Sequence, residues 1–168
     1  MRKKIILLFT IILAMSIIAA CSPAKAVIKD REGNEVTLPT NINKIISTAP
    51  SNTEILMDLG LGDKIIAADK YSKDVEGINQ GITFIDFFNP DAETIIKLQP
   101  DIIIASGHNK SGTEDPYSLI KEAGISVVYI PSSDSIQGIC DDISFIADIT
   151  GTSKKGKEII DNLNKEYQ

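Results

Sequence analysis

The chain has one histidine, two cysteines and no tryptophan among 168 residues. A lone imidazole, His108, rules against a metal cage built from several histidines. With only Cys21 and Cys140, committing either one elsewhere leaves no intramolecular disulfide, so the core alone must hold the fold. Basic residues are also in deficit, 17 Lys and Arg against 23 Asp and Glu, for a formal charge of −6. That balance argues against nucleic acid and anionic headgroups as partners. No Gly-x-Ser-x-Gly elbow and no phosphate loop is present, and Gly60-Leu61-Gly62 follows a helix instead of opening one. No internal repeat or low-complexity segment interrupts the chain.

What is present begins with an export signal. Met1-Arg2-Lys3-Lys4 is basic, Ile5 to Ala14 is almost unbroken apolar sequence, and Ile18-Ala19-Ala20-Cys21 sets small residues before a cysteine. The apolar run is too short for a transmembrane span and has no stop-transfer flank. The last four residues resemble a bacterial lipobox. On that reading residues 1–20 are a lipoprotein signal peptide, Cys21 carries the lipid, and residues 21–26 are a tether. Diacylation of Cys21 would anchor the chain on the extracytoplasmic face of the cell membrane. Cys140, in a stripe with Ile136, Ile139 and Ile143, reads as a buried inert thiol.

Beyond the tether, Glu32-Gly33-Asn34 reads as the turn of a hairpin over Ile28 to Leu38. Short β-branched runs then recur at Ile45-Ile46, Ile65 to Ala68, Ile102 to Ala105 and Val127 to Ile130, as expected of strands covered on both faces. Helical segments alternate with them: Asn52 to Leu59, Asp91 to Leu98, Pro116 to Ala123 and Ser135 to Ile149. The alternation predicts right-handed crossovers and an α/β fold with a doubly wound parallel sheet over residues 27–151. Residues 153 to 168 read as a further helix whose face of Ile159, Ile160, Leu163 and Tyr167 has nothing after it to cover it. Asp141-Asp142 reads as a solvated helix face.

Pro50-Ser51-Asn52-Thr53-Glu54-Ile55-Leu56, followed by Leu59-Gly60-Leu61-Gly62-Asp63, resembles the N-terminal lobe of substrate-binding proteins of ABC importers for iron–siderophores, haem and cobalamin. Asp30 to Pro39, Phe88 to Ile95, Leu98 to Ala105, Ala123 to Val128 and Ile149-Thr150-Gly151 match further pieces in the same order. The resemblance implies a single lobe of a bilobed protein, with residues 152–168 as the start of an inter-lobe helix and the second lobe lacking. It implies ligand capture without chemistry, so no catalytic residue, resident metal or cofactor is expected. The implied partners are an iron chelate, haem or cobalamin-like ligand, and an ABC permease with its ATPase. Glu54 corresponds to the carboxylate that docks on permease arginines, whereas by pattern alone it is an ordinary first-turn carboxylate.

Open parallel sheets bind ligands beyond the carboxyl ends of their strands. That rule nominates Tyr71, Phe87 or Phe88, then Ser106, His108 and Asn109, and then Ser132 with Ser133. The aromatics suit a large planar ligand, though each taken singly also reads as packing. His108, alone or with Tyr71, could serve as an axial haem ligand. Two rival readings are a membrane-tethered α/β hydrolase-like enzyme using Ser106 or His108, and a non-functional truncated remnant.

Overall fold

The computed structural model describes residues 25–87, 89–109 and 115–167. The export signal, Cys21 and Phe88 lie outside the described residues. Among those described, no helix is long and apolar enough to cross a membrane.

Two sheets form. Val27–Lys29 (β1) and Glu35–Thr37 (β2) pair antiparallel, and Gly33, at φ +87°, takes the left-handed position of the turn between them. The main sheet contains Ile45–Ser47 (β3), Ile65–Asp69 (β4), Thr83–Ile85 (β5), Ile102–Ser106 (β6) and Ser126–Ile130 (β7). All four pairings are parallel, in the order β5-β4-β3-β6-β7. The chain winds outward from β3 in one direction, then returns and winds the other way from β6. The seam between β3 and β6 is therefore the point where the winding reverses. Among these strands only β5 has no counterpart in the sequence reading. It is three residues long, lies at the sheet edge and carries a single threonine ahead of Phe84 and Ile85, too little for a period to register.

The central strands are dry on both faces. Every residue of β3 and β6 is buried, which is why these segments read as continuous apolar runs instead of alternating ones. Their alternate side chains nonetheless feed two separate cores. Ile45, Ile102 and Ile104 join Leu56, Val128, Ile130 and Ile146 on one side. Ile46, Ile103 and Ala105 join Ile95, Ile120, Tyr117 and Tyr129 on the other.

Pro50–Asp58 (α1) and Ile136–Thr150 (α4) cover the first face. Ala92–Leu98 (α2) and Ser118–Glu122 (α3) cover the second. Three helix starts and stops follow from single residues. Asp91 accepts from the Glu93 and Thr94 backbone N–H groups, Ser135 accepts from Gly138 N–H, and Gly151 ends α4 at φ +74°. Pro116 lies ahead of α3 instead of in its first turn, because the Tyr117 backbone N–H turns to the Asp115 carboxylate at 2.9 Å.

The last helix, Ser153–Glu166 (α5), lies back on α4. Gly156 is buried, and a Cβ placed there would sit 2.5 Å from Ala147 Cβ. This close approach draws Ile159 onto the first core, so part of the stripe expected to lie uncovered is packed by the domain itself. Tyr167 stays exposed.

Asp142 also departs from the sequence reading. It is buried at 4 % exposure, takes 2.8 Å and 2.6 Å hydrogen bonds from Arg31 Nε and Ser133 Oγ, and so ties the hairpin to α4. Asp141 alone belongs to the wet face. A helix-period reading cannot see that the opposing charge comes from 111 residues upstream.

Gly156→Ala is expected to destabilise the domain by about 1–3 kcal/mol, since Ala147 can retreat only by parting α4 from α5. Urea denaturation followed by circular dichroism measures it. An unchanged midpoint would show that the helix pair has slack.

Candidate functional site

At the β3–β6 seam the chain leaves β3 through Thr48-Ala49 and enters α1 at Pro50, a first-turn position that needs no backbone N–H. Ala49 has no side chain to cap the helix. Its carbonyl instead accepts from the Thr53 backbone N–H at 3.0 Å. Thr53 Oγ1 lies 2.8 Å from Ser47 Oγ and 2.9 Å from Ser72 Oγ, and all three residues are fully buried. Asn52 turns inward as well and donates to the Ile104 carbonyl. The Asn52-Thr53 pair thus bolts α1 to β3, to β6 and to the 3₁₀ segment Lys70–Asp74 that follows β4. With those two pointing in, Ser51 and Glu54 point out, and Glu54 is exposed.

Two clefts flank the start of α1. One, of about 450 Å³, is lined by Thr48, Pro50, Asp69, Tyr71, Ser106 and His108. The other, of about 570 Å³, runs between α1, α4 and α5; Glu54, Asp58, Ser132 and Ser133 form part of its polar lining, and Ile139, Ile159 and Leu163 part of its apolar wall. Ser106 and His108 border both. Of the residues nominated after β4, β6 and β7, Tyr71 meets Ser106 and His108 in the first cleft, and Ser132 and Ser133 meet the same pair in the second.

Tyr71 is 62 % exposed and carries Lys70 Nζ 4.9 Å from its ring centroid, so it offers a ring face held by a cation. Ser106, at 8 % exposure, accepts at Oγ from the His108 backbone N–H, while its own N–H donates to Thr48 Oγ1 at 2.9 Å. The serine oxygen thus helps to shape its loop, and the bond it makes to His108 comes from the backbone. Asn109 closes the 3₁₀ turn Gly107–Asn109, and its side chain lies outside the described residues. Ser132 is exposed on the loop after β7.

Phe87 is a correction. It has no exposed surface and packs 6.5 Å, centroid to centroid, from Tyr117. It belongs to the second core, so the packing alternative is the one realised. The loop after β5 turns it inward because its backbone N–H bonds to the buried Asp69 carboxylate.

Asp69 itself escaped the sequence reading. It ends β4 at 2 % exposure and accepts from Tyr71 N–H at 2.8 Å. A lone carboxylate closing an Ile-Ile-Ala-Ala strand was the available signal. Burial pushes its pKa above the usual carboxylate value, against the two backbone N–H groups that lower it. Asp115 behaves oppositely. Burial opposes ionisation there too, but Lys121, Tyr129 Oη and the Tyr117 N–H together hold its pKa below the usual value. That cluster fixes Asp115 and Tyr117 ahead of α3.

The hairpin braces the same side. The Asp30 carboxylate, at 6 % exposure, takes the N–H groups of Glu32, Asn34 and Tyr129. Glu32 reaches so close to Gly107 that a Cβ at that glycine would fall 2.4 Å from Glu32 Oε1. Gly107 thus leaves room for the end of the Glu32 side chain against the post-β6 loop. Among the described residues no group of three His, Cys, Asp or Glu side chains is placed to hold a metal ion.

Comparison with known proteins agrees with this architecture. The family model described as periplasmic binding protein matches residues 45–168. The ABC transporter substrate-binding lipoprotein YvrC of Bacillus subtilis is 30% identical over 144 residues, covering 84% of this chain and 45% of the relative. A vitamin B12-binding protein of Vibrio campbellii is 32% identical over 123 residues, covering 68% of this chain and 41% of its own length. The chain spans about half the length of the curated relatives it matches. Among solved structures, a possible iron-binding periplasmic solute-binding protein from Staphylococcus epidermidis superposes with a TM-score of 0.68 at 32% identity, over 73% of this chain and 48% of that one. A periplasmic haem-binding protein from Pseudomonas aeruginosa, at 18% identity and a TM-score of 0.66, shares the fold.

Two outcomes follow from this geometry. Thr53→Val removes the hydroxyl that Ser47 and Ser72 share and is expected to destabilise by about 1–3 kcal/mol, whereas Glu54→Ala, on the exposed face, stays within about 0.5 kcal/mol. Chemical denaturation of the two variants checks the contrast. For Asp69 the folded pKa is the higher one, so between its unfolded value of 3.8 and its folded value the native state holds the extra proton. Its contribution is then most favourable at low pH and is lost as pH rises through that window. Wild type is therefore expected to lose stability relative to Asp69→Asn as pH climbs above 3.8, read from paired melts across the range.

Proposed function

Because the chain belongs to the periplasmic binding protein family, we propose that it is the solute-binding component of an ABC importer for an iron chelate, haem or cobalamin-like ligand. The observation that carries this reading is the cleft at the β3–β6 seam, where Tyr71, Ser106 and His108 meet. A reversal of winding in a parallel sheet leaves a crevice that neighbouring crossovers cannot fill, and ligands enter there. An exposed ring beside small polar groups suits a large, partly planar chelate, which needs contact area and a few orienting hydrogen bonds. The names of the relatives support the ligand class, being those of vitamin B12-binding and siderophore-binding proteins.

On this reading the chain works by binding and release, without chemistry. It sits on the extracytoplasmic face of the membrane through lipid on Cys21, and the segment from Ser153 onward begins an inter-lobe helix. Tyr71, Ser106, His108, Asn109 and Ser132 contact the ligand, and Phe88 would add a second aromatic. Glu54 docks on the permease: it is exposed on a helix whose inward neighbours fix its direction, and no described side chain pairs with it. A rim charge of this kind orients an encounter more than it tightens it.

The test is uptake against binding. Glu54→Ala is expected to lower transport of the ligand into cells at least about tenfold while the affinity of the chain for that ligand changes less than about twofold. Undiminished uptake would remove Glu54 from the docking surface. Loss of affinity in step with uptake would place it in the ligand site instead.

A further inference from the structure

Among the described residues, the charges around the two clefts all have one sign once pairs are removed. Arg31 is taken by Asp142, with Nε 2.8 Å from Oδ1. Lys70 is taken by Asp86, with Nζ 2.5 Å from Oδ2. That leaves Asp69 in the wall of the first cleft and Glu54 and Asp58 on the second, none with an ion-pair partner among the described residues. No Lys or Arg of the described residues lines either cleft. The one opposing field is the start of α1, which at Pro50 and Ser51 offers about half a positive charge. Three full carboxylates outweigh it. Asp69 counts most, because at 2 % exposure little water screens it from whatever enters beside it.

We propose that the ligand presents to this domain a surface without net negative charge: a neutral corrinoid or a neutral or cationic metal chelate, and not a polyanionic one. The assignment rests on the importer reading above and narrows it. An anionic chelate brought against Tyr71 would lose its hydration shell next to Asp69, and the cation over that ring, Lys70, is already paired with Asp86. A cationic or neutral chelate meets a carboxylate already held rigid by the Tyr71 N–H.

Four probes separate the cases when offered to the full chain in equilibrium dialysis: ferrioxamine B, which is cationic; cyanocobalamin, which has no net charge; haemin, with two propionates; and a triply anionic ferric tricatecholate. The expected result is that ferrioxamine B or cyanocobalamin is held tightest, by at least about tenfold over either anion. Added salt is expected to weaken ferrioxamine B binding and to strengthen that of the tricatecholate. Asp69→Asn is expected to shrink the preference several-fold. The salt series on the unaltered chain reads the same charge without relying on that variant to fold.

Tightest binding of haemin or the tricatecholate would overturn the charge assignment and leave the importer reading standing. A preference indifferent to both salt and Asp69 would overturn it as well. Retention of none of the four would overturn both.

Discussion

Parallel pairing of β3 with β6, two strands buried on both faces, is the constraint on which the rest of this molecule depends. Ile45, Ile46 and Ser47 lie opposite Ile102, Ile103 and Ile104, and none of the six has a wet side. Such strands hold their place only if helices cover both faces. Covering both requires the crossovers after β3 to go one way and those after β6 the other. The crevice at the seam is a by-product of that winding. So is the position of α1, which must start at the seam because β3 ends there.

The interior around the seam is more polar than a minimal core requires. Ser47, Thr53 and Ser72 could be replaced on volume grounds by small apolar residues, yet their hydroxyls satisfy one another. What they supply is direction. Hydrophobic contacts alone would let α1 rotate by a fraction of a turn, whereas a hydrogen-bonded cluster fixes which side chains face outward. Asp69 and Asp30 do the same for the loops, each holding backbone N–H groups that no strand or helix satisfies.

Much of the fold was legible because its strands are short, β-branched and separated by helices with clear stops. Four of the five main-sheet strands and the hairpin are found where Ile-rich and turn-forming residues place them. That Ser106 and His108 lie beside Tyr71 in one cleft and beside Ser132 in the other was legible too, since it follows from strand ends alone. What escaped was whatever depends on distant partners. Asp142 reads as solvated until Arg31 arrives from the hairpin. Phe87 reads as either a ligand contact or packing, and only the Asp69 carboxylate and the Tyr117 ring decide for packing. Periodicity describes an element's own faces, and it is silent about a charge that another element brings.

The hairpin is the earliest described part of the chain, yet its attachments are among the latest. Asp30 bonds to Tyr129, 99 residues on, and Arg31 bonds to Asp142, 111 residues on. Until β7 and α4 exist, Arg31 lacks its carboxylate and Asp30 has only its bonds within the hairpin, and a two-stranded hairpin alone is marginal in water. Contacts this far apart in sequence make loop closure slow. The hairpin can therefore dock only onto a β7 and an α4 that are already in place. Before it closes, the outer edge of β7 is open to other chains; afterwards, Asp30 and Ser126 tie the hairpin along it. The hairpin thus acts as a latch on the sheet, covering an edge that would otherwise present unpaired backbone to other chains.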